Sequence, residues 1–162
     1  MAGDMGDQLG RSHGVVMDAL SKAIIEQLQQ DGRRPYATIG KAVGLSEAAV
    51  RQRVQKMIDA GVMQIVAVTD PLTVGFKRQA MVGIRCAGDV EPVAEKLAAM
   101  PEVDYVVVTA GSFDLIIEVV CEDDDQLLEI ISKRIRAIPE VSSTESFVYL
   151  RLRKQTYSWG TR

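Results

Sequence analysis

Side chains that could recognise DNA lie close together between residues 46 and 56. Gln52 can form a bidentate hydrogen-bonded pair with adenine, and Arg51 can do the same with guanine. Arg53 and Lys56 are better suited to phosphates, which supply affinity without sequence information. The candidate DNA-binding residues are Ser46, Ala48, Ala49, Arg51, Gln52, Arg53, Gln55 and Lys56. The two alanines among them would permit close approach to base edges.

A helix-turn-helix would position these side chains. Residues 38–63 are typical of a short helix, a tight turn and a longer helix. Gly44 can adopt the left-handed conformation that closes the first helix, Ser46 can cap the second, and Gly61 would end it. Apolar residues recur at i, i+4, i+7 and i+8 in one stripe: Val50, Val54, Met57 and Ile58. An ordinary amphipathic helix with a solvated polar face is the alternative, which periodicity alone does not exclude.

The composition argues against catalysis and against a membrane span. The chain of 162 residues is 47% hydrophobic and 25% charged, as in ordinary globular proteins, and no apolar run approaches 18 residues. Cys86 and Cys121 lie in apolar runs, which favours reduced thiols in a cytoplasmic protein. The single histidine, His13, lies in a Gly/Asp-rich leader, so no histidine-based site can be built on the folded parts. We expect no enzymatic activity, no cofactor and no metal.

Charge is distributed unevenly along the chain. Residues 31–60 contain six Lys/Arg against three Asp/Glu, whereas residues 62–162 contain eleven against fifteen. A basic module joined to an acidic one is compatible with DNA binding by the first module alone.

The chain divides into two domains with short flanking segments. Residues 17–30 predict a first helix with Asp18 as its N-cap, and the β-rich residues 62–69 predict a strand or wing after the third helix. The expected boundaries are a disordered leader 1–14, a helix-turn-helix domain 15–69, a linker 70–78, a second domain 79–156 and a tail 157–162.

The second domain predicts a ferredoxin-like fold. Its pattern gives strands at 79–86, 103–110, 114–121 and 142–153, with helices at 90–100 and about 123–138. Leu127, Leu128, Ile131 and Ile135 would form the buried stripe of the second helix. This βαββαβ order is the split βαβ arrangement, and a Pro-Glu-Val repeat at 101–103 and 139–141 marks an internal duplication. Helices on one face of the sheet leave the other face open, so we expect dimerisation through that face.

At this point residues 17–154 resemble the Lrp/AsnC, or feast/famine, family of transcription regulators. The resemblance rests on motifs in a fixed order: Gly44-Leu45-Ser46, Val50-x-x-Arg53-Val54, Gly61-Val62, Asp70-Pro71 with Gly75, the Pro-Glu-Val repeats, and Gly111-x-Phe113-Asp114. It implies an α+β protein with an N-terminal three-helix (winged) helix-turn-helix domain and a ferredoxin-like, ligand-sensing domain. It also implies a homodimer that assembles to octamers.

The resemblance places an amino-acid effector near the turn between the second and third strands, at an interface between dimers. Carried over by position, the effector-binding residues are Thr109, Gly111, Ser112, Phe113 and Asp114. Turn amides and a hydroxyl suit an α-carboxylate, and Asp114 suits an α-ammonium group. The alternative is a plain hairpin in which Asp114 caps local amides and Phe113 belongs to the core.

Three positions depart from the family pattern, and three functions stay open. Ser21 stands where the family usually has Asp, Gly40 where it has Ala, and Ser112 where it has a charged residue. The sequence predicts a DNA-binding regulator controlled by an amino acid or related small molecule. The alternatives are an architectural protein that wraps DNA without an effector, and an amino-acid-sensing allosteric subunit that binds no DNA.

Overall fold

The computed structural model describes residues 17–162, so the expected leader 1–14 and His13 lie outside the described residues. The described chain forms two compact units. A helical unit contains the residues up to Ala67 together with Lys154–Arg162, and a sheet unit contains Val68–Arg153. Within residues 17–162, no helix is both long and apolar enough to cross a membrane.

Three helices build the helical unit, as the sequence predicts. They are α1 (Ala19–Gln30), α2 (Tyr36–Val43) and α3 (Glu47–Asp59). The Asp18 side chain accepts a hydrogen bond from the Ser21 N–H and caps α1, and Ser46 does the same for α3 through the Ala49 N–H. Gly44 has φ 74° and closes α2 in the left-handed conformation.

The core of the helical unit lies between the three helices. Its buried hydrophobic residues are Ile24, Leu28, Ile39, Val50, Val54 and Met57. The predicted stripe of α3 therefore faces the core, with Ile58 half-buried at its margin.

Residues 62–69 do not form the expected strand or wing. Their backbone pairs with no other segment of the described chain as a β-ladder, and Ile65, Val66 and Val68 are 43–59% exposed. β-propensity reflects packing on a pleated surface more than an intrinsic backbone preference. Without a neighbouring strand, this stretch gains neither ladder hydrogen bonds nor a buried face.

The sheet unit has the predicted βαββαβ order. Its elements are β1 (Arg78–Cys86), α4 (Glu91–Ala98), β2 (Val103–Val108), β3 (Leu115–Cys121), α5 (Asp124–Glu129) and β4 (Val141–Val148). The four strands pair antiparallel in the spatial order β2-β3-β1-β4. This arrangement confirms the ferredoxin-like prediction.

One face of the sheet packs on the helices. Alternate residues of β1 and β3 pack against the helices in one buried cluster. The strands contribute Ala80, Val82, Ile84, Leu115, Ile117 and Val119, and the helical segments contribute Val93, Leu97, Leu127, Ile130 and Ile135. The opposite face, here called the open face, contains the other set of cross-strand neighbours. On it, Met81 pairs with Phe147 and Tyr105 with Glu118. Phe147 is 45% and Tyr105 53% exposed.

The last helix and the last strand differ from the prediction. The α-helix changes to a π-helical segment at Ile130–Ile135, and Leu128, expected in the buried stripe, is 62% exposed. A π-helical turn has a wider hydrogen-bonding step, from i to i+5, so the α-helical spacing no longer applies. Leu127 and Ile135 are buried as expected, Ile131 is half-buried against the core, and Ile130 is buried in addition. Strand β4 ends at Val148, five residues earlier than expected.

Candidate nucleic-acid interface and effector site

The polar face of α3 is exposed. Its side chains line a shallow groove formed by Ala48, Arg51, Gln52, Gln55, Lys56 and Asp59. All six are exposed, whereas Ala49 is half-buried beside the helix start. Five of the eight predicted DNA-contact residues therefore lie on one groove, and Ser46 lies at its N-terminal end as the cap.

Two of these side chains already have partners within α3. Arg51 forms an ion pair with Glu47 one turn earlier, with 2.7 Å between Nη2 and Oε1, and its guanidinium lies 5.3 Å from the centre of the Tyr36 ring. The Gln55 amide donates to Asp59 at 2.7 Å. Exposed ion pairs of this kind contribute only about 0–1 kcal/mol. Arg51 can therefore exchange Glu47 for a base or a phosphate at little cost.

Arg53 has a different environment from the other basic residues of α3. Its Nη1 donates to both carboxylate oxygens of Asp18, at 2.8 and 3.0 Å, and to Ser21 Oγ at 3.1 Å. Ser21, one of the departures from the family pattern, is a buried polar residue with an exposure of 5%. Arg53 thus joins α3 to the start of α1. This structural role stands beside the expected phosphate contact.

Replacement of Asp18 by Asn should flatten the acid dependence of stability. The Ser21 backbone N–H and then Arg53 lower the pKa of Asp18 from 3.8 to about 2. A carboxyl whose pKa is lowered by folding stabilises the fold above its unfolded pKa, and this stabilisation is lost as pH falls from about 4 to about 2. Urea unfolding at a series of pH values measures the free energy of unfolding. Between about pH 4 and pH 2, this free energy should fall more steeply for the wild type than for Asp18→Asn. Equal slopes would contradict the assignment.

The turn between β2 and β3 is organised by two hydrogen bonds that Thr109 donates. The Thr109 N–H donates to the Asp114 carbonyl at 2.9 Å, and Thr109 Oγ1 donates to the Phe113 carbonyl at 2.5 Å. Gly111 and Ser112 form the exposed tip between them, and a Cβ on Gly111 would meet no atom within 4 Å. The five predicted effector residues therefore form one compact turn with an accessible tip.

Asp114 forms hydrogen bonds that stabilise the fold. Its Oδ2 accepts a hydrogen bond from the Cys86 N–H at 2.7 Å, and its own N–H donates to the Ile84 carbonyl at 2.9 Å. The pairing of β1 with β4 shifts register between Arg85 and Cys86. Asp114 therefore satisfies backbone groups at this irregularity, as the plain-hairpin alternative expected. Only its second carboxylate oxygen is open to a ligand.

Gly83 and Arg85 of β1 contact this turn, although sequence reasoning did not select them. The Arg85 Nε donates to the Ser112 carbonyl at 2.6 Å, and its guanidinium lies 5.1 Å from the centre of the Phe113 ring. A Cβ on Gly83 would lie 2.6–2.7 Å from Phe113 ring atoms, so only glycine leaves room for this ring. The available signal was an arginine and a glycine within the otherwise apolar strand 79–86.

Phe113 lies over the open face of the sheet and not in the helix-facing core. Its ring contacts Gly83 and packs edge-to-face with Phe147, with 6.3 Å between ring centres. The alternative that placed Phe113 in the core is therefore wrong. The candidate effector turn and the open face form one continuous surface.

Two family models match the chain. The AsnC-type helix-turn-helix domain matches residues 17–58, and a C-terminal dimeric alpha+beta barrel domain of AsnC-type regulators matches residues 76–162. The second match extends over more than half of the chain.

Known proteins agree with these matches. An uncharacterised HTH-type transcriptional regulator of Pyrococcus furiosus is 33% identical over 149 residues, which are 88% of this chain and 98% of that protein. The structure of Escherichia coli AsnC is 28% identical, has a TM-score of 0.73, and covers 89% of this chain and 99% of its own. A Neisseria meningitidis transcriptional regulator solved with L-Met has a TM-score of 0.73 at 22% identity, over 88% and 96% of the two chains, which shows the shared fold.

The exposed recognition helix, the four-stranded antiparallel domain and these matches agree with one another. The chain belongs to the AsnC family of transcription regulators, which bind DNA through a helix-turn-helix, contain a dimeric C-terminal domain and are not enzymes.

Proposed function

We propose that this regulator recognises specific DNA sequences through α3 and responds to an amino acid or related small molecule bound at the β2–β3 turn. The observation that carries the DNA-reading part is the groove on α3, where Gln52, Arg51 and Lys56 are exposed together. In a symmetric dimer, two such helices would read a pseudo-palindromic site with half-sites about one helical turn, or a multiple of it, apart. As a regulator of chromosomal genes, it would act in the cytoplasm.

The chemistry of the turn supports an α-amino-acid effector. The Arg85 guanidinium, the Ser112 hydroxyl and the exposed amides of the tip suit an α-carboxylate, because charge-assisted hydrogen bonds to carboxylates are strong. The second oxygen of Asp114 suits an α-ammonium group. The L-Met held by the Neisseria meningitidis regulator of the same fold supports this ligand class.

The open face supports dimerisation and gives the effector a route to the assembly. Phe147 is about half exposed on this face and adjoins Met81 and Phe113, and contiguous exposed apolar patches typically mark interfaces. Because Phe113 packs on Phe147, a ligand that moves the turn would also alter this surface. The effector could then shift the assembly, up to the expected octamer, through differential affinity for its states.

Substitution of Gly83 by Ala tests the effector site from strand β1, through the Phe113 ring that packs on Gly83. The added Cβ would displace the Phe113 ring, so we expect affinity for the effector to fall about tenfold, equivalent to about 1.4 kcal/mol. Calorimetric titration of the full chain with each of the common amino acids measures this affinity. Ser146→Ala, an exposed position on β4, is the matched control and should bind as the wild type does.

Two outcomes would contradict the effector proposal. One is a wild-type protein that binds none of the amino acids tested. The other is a Gly83→Ala variant that binds as tightly as the wild type, which would place the ligand elsewhere.

A further inference from the structure

The C-terminal segment Lys154–Arg162, here called the tail, packs with the helical unit although it follows the last strand of the sheet unit in the chain. The Gly160 N–H donates to Gln29 Oε1 at 3.0 Å, and Thr161 Oγ1 donates to Glu26 Oε1 at 2.5 Å. Gly160 adopts φ 76°, a left-handed conformation that favours glycine. The end of the tail is thus held on the first helix by specific contacts.

The tail occupies the side of α1 that faces away from the helical core. Ile24 and Leu28 point into that core, whereas Glu26 and Gln29 project from the other side at 100° per residue. The groove on α3 is formed by α3 residues alone and contains no tail residue. A tail in this position leaves the recognition surface accessible.

We propose that the outer face of α1 is the docking surface for the chain's own tail, and that the docked tail is a second tether for the DNA-binding domain. The helical unit is joined to the sheet unit through residues 68–77 at one end and through residues 149–153 at the other. Each of these connections lacks a strand or an α-helix of its own. A domain held at both ends has fewer accessible orientations than one held by a single flexible linker.

The consequence concerns the binding of paired half-sites. In a dimer, the second recognition helix binds with an effective concentration that depends on how often it is correctly oriented. The docked tail restricts the orientations of the DNA-binding domain before DNA binds. It should therefore increase affinity for a duplex with two half-sites, but not for a duplex with a single half-site. Lys154 and Arg162 make the tail basic, with no acidic residue, so a direct phosphate contact is the competing source of affinity.

A fluorescence measurement reports docking independently of DNA. Trp159 is the only tryptophan of the chain, is 77% exposed, and packs edge-to-face on Tyr157 next to the two hydrogen-bonded residues. The double variant Gln29→Ala, Thr161→Val should lower the steady-state anisotropy of Trp159. The control Gln30→Ala removes a neighbouring exposed amide that contacts Arg34 and not the tail, and it should leave the anisotropy unchanged.

The DNA affinities of the same proteins are then compared on two duplexes. One is a duplex selected in vitro for binding to the wild type, and the other is that duplex with one half-site scrambled. We expect the double variant to lose about tenfold in affinity for the intact duplex and nothing for the scrambled one. Unchanged anisotropy would overturn docking. Equal losses on both duplexes would indicate direct DNA contact, and lower anisotropy with unchanged affinities would overturn the tether. This proposal rests on the proposed function only in requiring a DNA-binding dimer, so an absent amino-acid response would leave its test intact.

Discussion

Gly40→Ala should destabilise the helical unit, although alanine is the better helix former by about 1 kcal/mol. A Cβ on Gly40 would lie 2.5 Å from the Leu45 carbonyl oxygen, and backbone atoms cannot move aside as a flexible side chain can. Leu45 also donates its N–H to the Gly40 carbonyl at 2.9 Å, so the clash falls on the turn between α2 and α3. We expect a net loss of about 1–3 kcal/mol in the free energy of unfolding, as for other overpacked sites.

The measurement is urea unfolding followed by far-ultraviolet circular dichroism, with Gly111→Ala as the control. A Cβ on Gly111 meets no atom within 4 Å, and its backbone is outside the left-handed region, so this variant should unfold as the wild type does. If Gly40→Ala were as stable as the wild type, the close approach of the two backbones would be wrong. In this chain, the close approach of the Leu45 carbonyl makes glycine the residue that fits at position 40.

Gln52→Ala and Lys56→Ala should lower DNA affinity in two different ways. Both side chains are exposed on the groove of α3. Loss of a bidentate base contact costs about 1–3 kcal/mol of discrimination between base pairs. Gln52→Ala, and equally Arg51→Ala, should therefore bind the preferred sequence at least fivefold more weakly, whereas their affinity for random DNA should change little. Loss of a phosphate contact should weaken all sequences alike and reduce the salt slope by about one.

A fluorescence-polarisation titration over a range of salt concentrations separates the two effects. Lys96→Ala is the matched control, because it removes the same charge from an exposed position on α4 of the sheet unit. It should leave both affinities unchanged. Equal losses on preferred and random DNA for Gln52→Ala, Arg51→Ala and Lys56→Ala would contradict the assignment of base and phosphate contacts.

Much of the fold could be predicted because the signals are local. Asp18 and Ser46 cap helices, and Gly44 closes one, through interactions within three or four residues of chain. Every second residue from Ala80 to Ile84 and from Leu115 to Val119 is buried against the helices, as the period of a strand requires. The order of strands and helices then restricts the topology to very few solutions.

The features that the sequence did not reveal depend on partners distant in the chain. Residues 62–69 have strand-like composition, but strand formation requires a neighbour that composition cannot report. The π-helical segment at Ile130–Ile135 is a local departure, in which Ile130 is buried in addition to the predicted Leu127 and Ile135. In the candidate site, the turn 109–114 was predicted, whereas Arg85 and Gly83 come from a strand about 27 residues earlier in the chain.

The central claim is that this regulator reads specific DNA and that an amino acid alters the reading. A salt-titrated binding assay on the region upstream of the protein's own gene, with and without pooled amino acids, tests it most directly. We expect the affinity for this region to exceed the affinity for random DNA and to fall with salt according to the number of phosphates contacted. We also expect it to change when the pooled amino acids are added. Binding that is indifferent to both sequence and pool would contradict the claim and favour an architectural role.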